Sequence, residues 1–284
     1  MILIADSGST KTDWCVTLGS RIIHRVSTQG INPFHQDAET ISAVINSELL
    51  PRLSSAGEGF RTDDITAIYF YGSGCRAECE PMMRRTLRDI FFSATVVEAH
   101  SDLLGAARAV CGAGEGIACI LGTGANSCLY DGQNIVMNTP PMGYILGDEG
   151  SGAVLGKLFI NALFKERLSH TVLDTFTSET GLTLPEVIRR VYREPLANRF
   201  LASLAPFIHA HKDEPLLREL IIGNFRDFFR CNVRRYDRPY LPVGAVGSIA
   251  FHFAGELTEA AAAEGFKPGR IIKSPMDGLV AFHS

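Results

Sequence analysis

The sequence predicts an α/β protein of two linked lobes. Candidate strands dominate the first half, Ala153–Arg235 has the apolar spacing of helices, and Pro239–Val246 is strand-like again. A strand, a Gly-rich turn and a second strand occur twice, because an offset of 114 residues (122 − 8) lays Gly8-Ser9 on Gly122-Thr123. Such repetition is typical of a duplicated fold, and 284 residues suit about two domains.

Short apolar runs and turn formers predict the elements along the chain. The predicted strands are Met1–Ala5, Trp14–Leu18, Arg21–Val26, Ile65–Tyr71, Ala94–Glu98, Ile117–Leu121, Cys128–Tyr130, Asn134–Met137, Pro239–Val246 and Ile271–Ile272. Helical spacing marks Ala38–Leu53, Glu80–Phe91 and Asp102–Val110, and Gly278–Phe282 is predicted as a terminal helix or tail. A turn at Asp6–Asp13 separates the first two strands.

Composition excludes several classes of protein. The 27 basic and 31 acidic side chains leave a net charge of −4, so no basic field predicts a nucleic-acid or anionic-membrane partner. No apolar run approaches the ~20 residues of a membrane helix, and the first residues do not resemble a signal peptide. Seven scattered cysteines suit reduced thiols, so we expect a cytoplasmic protein.

The two Gly-rich turns are candidates for phosphate binding. Neither turn matches a Walker loop or the dinucleotide fingerprint, so binding would depend on exposed backbone N–H groups. Asp6, at the end of the first strand, could hold Mg²⁺ through water. The alternative is a pair of ordinary β-turns in which Asp6 bonds its own backbone.

Two further segments carry candidate carboxylates. Asp102 opens a predicted helix, either as a general base or as a helix-start carboxylate favoured by the helix dipole. Asp148 and Glu149 lie in a glycine-rich stretch before another helix, which suits a sugar-hydroxyl binder or a capping carboxylate. His209 and His211 lack further ligands and are predicted to be surface residues rather than a metal site.

These motifs occur in an order that resembles the N-acetylglucosamine kinases of the BadF/BadG/BcrA/BcrD-type ATPase family, within the sugar kinase/heat-shock chaperone/actin superfamily. The matching segments are Asp6-x-Gly8-x-Thr10-Lys11-Thr12, Asn32, Gly72-Ser73-Gly74, Asp102, Gly122-Thr-Gly-Ala-Asn126, Gly147-Asp-Glu-Gly-Ser151 and Gly244-x-x-Gly247. The likeness spans nearly the whole chain. It implies an actin-like ATPase fold of two ribonuclease H-like lobes, residues 1–103 and 104–284, with a nucleotide cleft between them. It also implies a terminal helix near 277–284 that packs back on the N-terminal lobe.

The resemblance also implies site residues and ligands. ATP would be held by Gly8, Ser9, Thr10, Lys11, Thr12, Gly122, Thr123, Gly124, Gly244, Gly247 and Ser248, with Mg²⁺ near Asp6. The sugar pocket would contain Asn32, Ser73, Asp102, Thr123, Asn126 and Asp148, with Asp102 as catalytic base. The expected product is N-acetylglucosamine 6-phosphate, and a homodimer is an expected assembly.

Two other functions stay open from the sequence. An activator-type ATPase of the same family would need an iron–sulfur cluster, for which Cys75 and Cys79 offer no matching pair. A non-catalytic nucleotide- or sugar-binding module would have no need for a base at Asp102. The preferred amino sugar, N-acetylglucosamine, glucosamine or N-acetylmuramic acid, is not determined by these motifs.

Overall fold

The computed structural model describes residues 1–8, 10–54 and 61–284. Its strands are β1 (Ile2–Ser7), β2 (Lys11–Leu18), β3 (Arg21–Gln29), β4 (Ala67–Gly72), β5 (Val96–Ser101), β6 (Gly116–Leu121), β7 (Ala125–Tyr130), β8 (Ile135–Thr139), β9 (Pro242–Val246) and β10 (Lys267–Ile272). Its helices are α1 (Ala38–Val44), α2 (Leu50–Ser54), α3 (Glu80–Ile90), α4 (Asp102–Cys111), α5 (Gly143–Leu146), α6 (Gly152–Phe164), α7 (His170–Thr180), α8 (Leu184–Tyr192), α9 (Ala197–Ala202), α10 (Ala205–Ala210), α11 (Pro215–Phe228), α12 (Ser248–His252), α13 (Ala254–Ala263) and α14 (Met276–Phe282). Two π-helical turns, Ile45–Leu49 and Phe229–Val233, continue α1 and α11.

The chain forms two compact units. Unit 1 contains Met1–Ala113, Gly132–Asn134 and Pro275–Ser284, and unit 2 contains Gly114–Asp131 and Ile135–Ser274. Both α4 and the C-terminal α14 therefore belong to unit 1. The sequence-based division after residue 103 stays a prediction.

Each unit is built on a five-stranded mixed sheet of the same topology. The order is β3-β2-β1-β4-β5 in unit 1 and β8-β7-β6-β9-β10 in unit 2. In both, the first strand pairs antiparallel with the second and parallel with the fourth. The first three strands of unit 2 begin at residues 116, 125 and 135, each 114 after the starts of β1, β2 and β3 at 2, 11 and 21. The predicted α/β class with two repeated lobes is confirmed.

The central strand of each sheet is buried because helices cover both faces. In β1, Leu3, Ile4 and Ala5 are fully buried, and the helices α4 and α14 pack against this part of unit 1. Gly278 of α14 lies so close to α4 that a Cβ there would sit 2.5 Å from the Ala109 carbonyl oxygen.

Unit 2 has a larger aromatic core. Phe159 of α6 packs edge-on against Phe176 of α7, with ring centroids 5.4 Å apart, and Phe207 of α10 joins them. These contacts attach the helices α6, α7 and α10 to one another. The helical region that follows Gly152 is thus part of the core of unit 2.

Some predicted boundaries were wrong. The strand β2 begins at Lys11 and β7 at Ala125, three residues before the predicted starts at Trp14 and Cys128, so each Gly-rich turn is shorter than predicted. No helix in the described part of the chain is long and apolar enough to cross a membrane. None of the seven cysteines forms a disulfide.

Candidate active site

The first group of candidate residues lies where three strands of unit 1 end. Because β1, β4 and β5 run parallel, their carboxyl ends meet at one edge of the sheet. Asp6 is the penultimate residue of β1, Ser73 follows β4, and Asp102 follows β5 as the first residue of α4. The helix start is capped by Ser101, whose Oγ accepts the Leu104 N–H at 3.3 Å.

Asp6 and Asp102 both bind their protons more tightly than free aspartate does. Burial, together with the negative charges of Asp102 and Asp13, raises the pKa of Asp6 to about 7, although the positive charge of Lys11 lowers it in part. Burial raises the pKa of Asp102 to about 6, although hydrogen bonds from the backbone N–H groups of Leu103 and of Asp102 itself lower it in part. The electrostatic influence of Asp102 on Asp6 indicates that the structure brings these two carboxylates together.

A buried hydroxyl pair connects the end of β1 to the segment that carries Asn32. Ser7 Oγ and Thr12 Oγ1 lie 2.6 Å apart, and both accept the Ile31 N–H, at 3.0 and 3.1 Å. Ser7 and Thr12 are completely buried, so the Thr12 hydroxyl is occupied inside the unit. Its contact with nucleotide stays a prediction from the resemblance.

Asn32 lies against the turn after β4. A Cβ at Gly74 would be 2.0 Å from Asn32 Oδ1, and Gly74 has a φ of +77°, so this position requires glycine. The same turn is attached to β1, because the Ser73 N–H donates to the Ser7 carbonyl oxygen at 2.8 Å. Asn32 and Ser73 are therefore brought together, at the sheet edge that also carries Asp6.

The first Gly-rich turn is short and partly exposed. The Gly8 N–H donates to the Lys11 carbonyl oxygen at 2.9 Å, and the Thr10 carbonyl accepts the Gly30 N–H at 3.0 Å. The Lys11 ammonium lies 2.8 Å from an Asp13 carboxylate oxygen and is 60% exposed. Ser9, predicted to bind phosphate, lies outside the described residues.

The second Gly-rich turn, Gly122–Gly124 in unit 2, supports the start of α6. The Gly122 carbonyl accepts the Gly152 N–H at 2.8 Å, and the Thr123 carbonyl accepts the Ala153 N–H at 3.1 Å. Two of the three carbonyl groups of the turn thus face α6, and the Gly124 carbonyl accepts the Gly122 N–H at 3.0 Å. Thr123 is exposed.

Asp148 lies against this second turn. Its Oδ2 is 3.1 Å from where a Gly124 Cβ would stand, and its carboxylate accepts the Ala125 N–H. Burial raises the pKa of Asp148, and the Ala125 hydrogen bond opposes that increase. Nearby, Asn126 Oδ1 accepts the Ser127 N–H and the Asn138 side-chain amide, both at 2.9 Å. The structure therefore groups Thr123, Asn126 and Asp148.

A cavity of about 550 Å³ opens beside the same turn. Its lining residues are Gly122, Thr123, Arg199, Ala202, Ser203, Ala205, Pro206, His209, Ser248, Ile249, His252 and Phe253. Gly247, with a φ of +125°, precedes Ser248 and approaches β6 so closely that a Cβ would lie 2.3 Å from the Leu121 carbonyl oxygen. Gly244 is not among the lining residues, because it lies inside β9, paired with Ala118 of β6.

The sequence analysis did not identify the part of the cavity lined by His209, His252 and Phe253. His209 of α10 packs edge-on against His252 and Phe253, with ring centroids 5.7 and 5.3 Å apart. His209 is partly buried and lines the cavity, a role that its prediction as a surface residue did not include. The helical spacing of Ala205–Ala210 carries no signal that would have identified it.

The donor set around Asp6 suits a hydrated divalent cation. Among the described residues, no group of three or more His, Cys, Asp or Glu side chains converges as a metal site. Mg²⁺ typically uses one or two carboxylates and keeps several waters. Asp6, whose pKa is raised first by burial and then by the nearby carboxylates of Asp102 and Asp13, is the residue that fits this role.

Comparison with solved structures identifies the family. A candidate N-acetylglucosamine kinase from Porphyromonas gingivalis is 48% identical, with all of this chain and 98% of that chain covered and a TM-score of 0.93. The chain belongs to the same family, the N-acetylglucosamine kinase-like proteins of the BadF/BadG/BcrA/BcrD type.

More distant structures share only the fold. A candidate N-acetylglucosamine kinase from Chromobacterium violaceum is 18% identical with a TM-score of 0.72, covering 100% of this chain and 98% of that one. A ROK family glucokinase from Streptomyces griseus, solved with glucose and AMPPNP, is 14% identical with a TM-score of 0.55 and coverages of 99% and 97%. No protein-family model and no curated protein matches the chain. The kinase-like family therefore has the actin-like ATPase fold.

The raised pKa values of Asp6 and Asp102 predict a pH-dependent cost to stability. An aspartate with a pKa of 3.8 when unfolded and about 7 or 6 when folded destabilises the folded state as pH rises through that interval. We expect Asp6→Asn and Asp102→Asn each to raise the Tm at pH 8, by about 3 °C or more, and to change it little at pH 4. Thermal melts at both pH values test this, with Asp174→Asn, on an exposed position of α7, as a control. Equal shifts at both pH values would contradict the assignment.

Proposed function

We propose that the protein is an ATP-dependent kinase that phosphorylates the 6-hydroxyl of N-acetylglucosamine. The observation that carries the proposal is the carboxyl edge of the unit 1 sheet, where Asp102 is partly buried with a pKa of about 6. A base in this range is ionised at neutral pH and yet basic enough to accept a proton from an attacking hydroxyl. Phosphoryl transfer otherwise requires positioning and charge neutralisation more than covalent help.

Asp102 is the proposed general base. Its backbone is fixed as the first residue of α4, and Ser101 caps the helix, so the carboxylate is held in place. In the proposed mechanism it accepts the proton of the sugar hydroxyl as that oxygen attacks the γ-phosphorus. Asn32 and Ser73, at the same sheet edge, are the proposed partners of other sugar hydroxyl groups.

Asp6 is the proposed metal-binding residue. Bound Mg²⁺ would neutralise charge on the phosphate groups. Asp6 would hold its water shell, and the proton that Asp6 carries below about pH 7 would leave when the cation binds. Gly8, Thr10 and Lys11 are assigned to phosphate. The Gly8 N–H is already donated to the Lys11 carbonyl oxygen, so the exposed Lys11 ammonium would supply the charged contact with phosphate oxygens.

Unit 2 contributes the remaining proposed contacts. Thr123 of the second turn, together with Gly122 and Gly124, is assigned to phosphate. The cavity beside it is assigned to the adenosine of ATP, since it is concave, largely apolar and lined by His209 and Ser248. Asp148 and Asn126 are assigned to sugar hydroxyl groups.

The identity of the acceptor rests on the relatives. The 48% identical relative is named for N-acetylglucosamine, which favours this sugar over other hexoses. A coupled assay of purified protein with ATP, Mg²⁺ and a panel of N-acetylglucosamine, glucosamine, N-acetylmuramic acid and glucose tests the choice. We expect the highest kcat/KM with N-acetylglucosamine. Sugar-independent ATP hydrolysis instead would favour an activator-type ATPase, and no turnover at all would favour a binding module.

The base assignment predicts a specific pH profile. Because Asp102 must be ionised, kcat/KM for the sugar should fall about tenfold per pH unit below pH 6, at Mg²⁺ concentrations that saturate Asp6 across the range. Asp102→Asn should lower kcat by a factor of roughly 10²–10⁴ and abolish the fall of kcat/KM below pH 6, while the KM for ATP changes little. Initial rates from pH 5 to 8 measure both effects. A decrease in kcat of less than about tenfold would indicate that Asp102 only stabilises the start of α4.

Asp148 should affect the sugar and not the nucleotide. Asp148→Ala leaves a bound sugar hydroxyl unpaired, so the KM for the sugar should rise about 30- to 150-fold, equivalent to roughly 2–3 kcal/mol. The KM for ATP should change much less. Michaelis curves for each substrate and a thermal melt measure these effects. A parallel rise of both KM values with a collapsed Tm would make Asp148 a structural cap.

A further inference from the structure

The loop that carries Asp148 has an unfavourable backbone. It connects α5 to α6, and within three residues Asp148 has a φ of +58° and Gly150 a φ of +80°. Aspartate adopts this left-handed conformation at a cost in free energy, so the surrounding structure must hold it. At Gly147, the residue before Asp148, a Cβ would lie 2.3 Å from the Pro141 carbonyl oxygen.

Two buried asparagines supply side-chain contacts to this loop. Asn224 Oδ1 accepts the Gly150 N–H at 3.0 Å, and Asn232 Nδ2 donates to Glu149 Oε2 at 3.1 Å. Their residues are only 2% and 6% exposed. Each asparagine therefore holds one of the two residues that follow Asp148.

Both asparagines come from one helical segment. Asn224 lies in α11, and Asn232 lies in the π-helical turn Phe229–Val233 that continues it. In a uniform α-helix, residues eight apart are rotated by about 80° from each other. A π-turn has more residues per turn and reduces that offset, so it helps both side chains reach the same loop. The Asn232 carbonyl also accepts Thr139 Oγ1 at 2.9 Å, which ties the turn to the end of β8.

The amide nitrogen of Asn224 indicates why an asparagine is present. Asn224 Nδ2 is buried without a hydrogen-bond partner among the described residues. An unpaired buried donor destabilises a protein, and an apolar side chain of similar size would avoid that penalty. What only a polar side chain supplies here is the oxygen that accepts the Gly150 N–H.

We infer that Asn224 and Asn232 are positioning residues for the loop between α5 and α6, which we call the substrate loop. They hold Glu149 and Gly150, so that Asp148 keeps the backbone conformation in which it binds the sugar. The inference rests on the proposed function for the role of Asp148. The requirement at the two positions is opposite. Position 224 needs an acceptor for an N–H, and position 232 needs a donor for a carboxylate.

Substitution by aspartate therefore separates the two positions. Asn224→Asp keeps an oxygen facing the Gly150 N–H, so the KM for the sugar should stay within about threefold of the native value. Asn224→Leu removes the acceptor and should raise that KM about tenfold or more, with the KM for ATP nearly unchanged. Asn232→Asp places a carboxylate against Glu149 and should raise the KM for the sugar as well, whereas Asn224→Asp does not.

A core variant controls for loss of stability. Ile221→Ala removes a fully buried side chain of α11, one turn before Asn224, and should lower the Tm without changing the KM for the sugar. If Ile221→Ala raises that KM as much as Asn224→Leu, or if the two aspartate variants behave alike, the inference is wrong.

Amide hydrogen exchange tests the same contact without any turnover. The Gly150 N–H should exchange faster in Asn224→Leu than in the native protein or in Asn224→Asp, all without substrate. If the native protein phosphorylates no sugar but this exchange pattern appears, the proposed function fails and the loop support stands. Unchanged exchange in Asn224→Leu overturns the positioning role even where sugar turnover is normal.

Discussion

In both units the candidate site depends on a close approach between the end of the central strand and the turn that follows its parallel neighbour. In unit 1 the Ser73 N–H donates to the Ser7 carbonyl oxygen at 2.8 Å. In unit 2 Gly247 faces the Leu121 carbonyl oxygen so closely that any Cβ would collide with it. Because these turns are fixed to the strand ends, the side chains and N–H groups beside them gather at one edge of each sheet. The gathering follows from topology, and the chemistry comes from the residues placed there.

The repeated topology carries different chemistry in the two units. With the 114-residue offset, Asp6 of β1 corresponds to Ile120 of β6, and Lys11 corresponds to Ala125. Unit 1 therefore keeps charged groups at the end of its central strand, whereas unit 2 presents a glycine turn and a cavity. This division suits a reaction in which one set of groups must move a proton and bind a cation while another holds a substrate by backbone and shape.

The sequence predicts most of the strands and the carboxylates because both leave local signals. A glycine turn after an apolar run marked residues 8 and 122, and Asp102 and Asp148 stood out beside helix starts. Where the residues of the candidate site lie within the fold was harder to predict. Thr12 and Gly244 belong to matching motifs, yet Thr12 is buried in a hydroxyl pair and Gly244 lies inside a strand. His209 and the asparagines of α11 lie far along the chain in ordinary helical patterns, and only tertiary packing gives them their neighbours.

The residues proposed to provide function also cost stability. Asp6 and Asp102 are carboxylates held partly buried and near each other, and Asp148 occupies a left-handed backbone conformation. Such arrangements persist only when the rest of the structure outweighs them. In unit 2 the aromatic core around Phe159 and the helix α11 supply that excess, and α11 also bears Asn224, whose own amide nitrogen is unpaired. The helix α11 therefore both packs in the core of unit 2 and contacts the loop that carries Asp148. We expect a change in α11 to alter this loop without any contact between α11 and substrate.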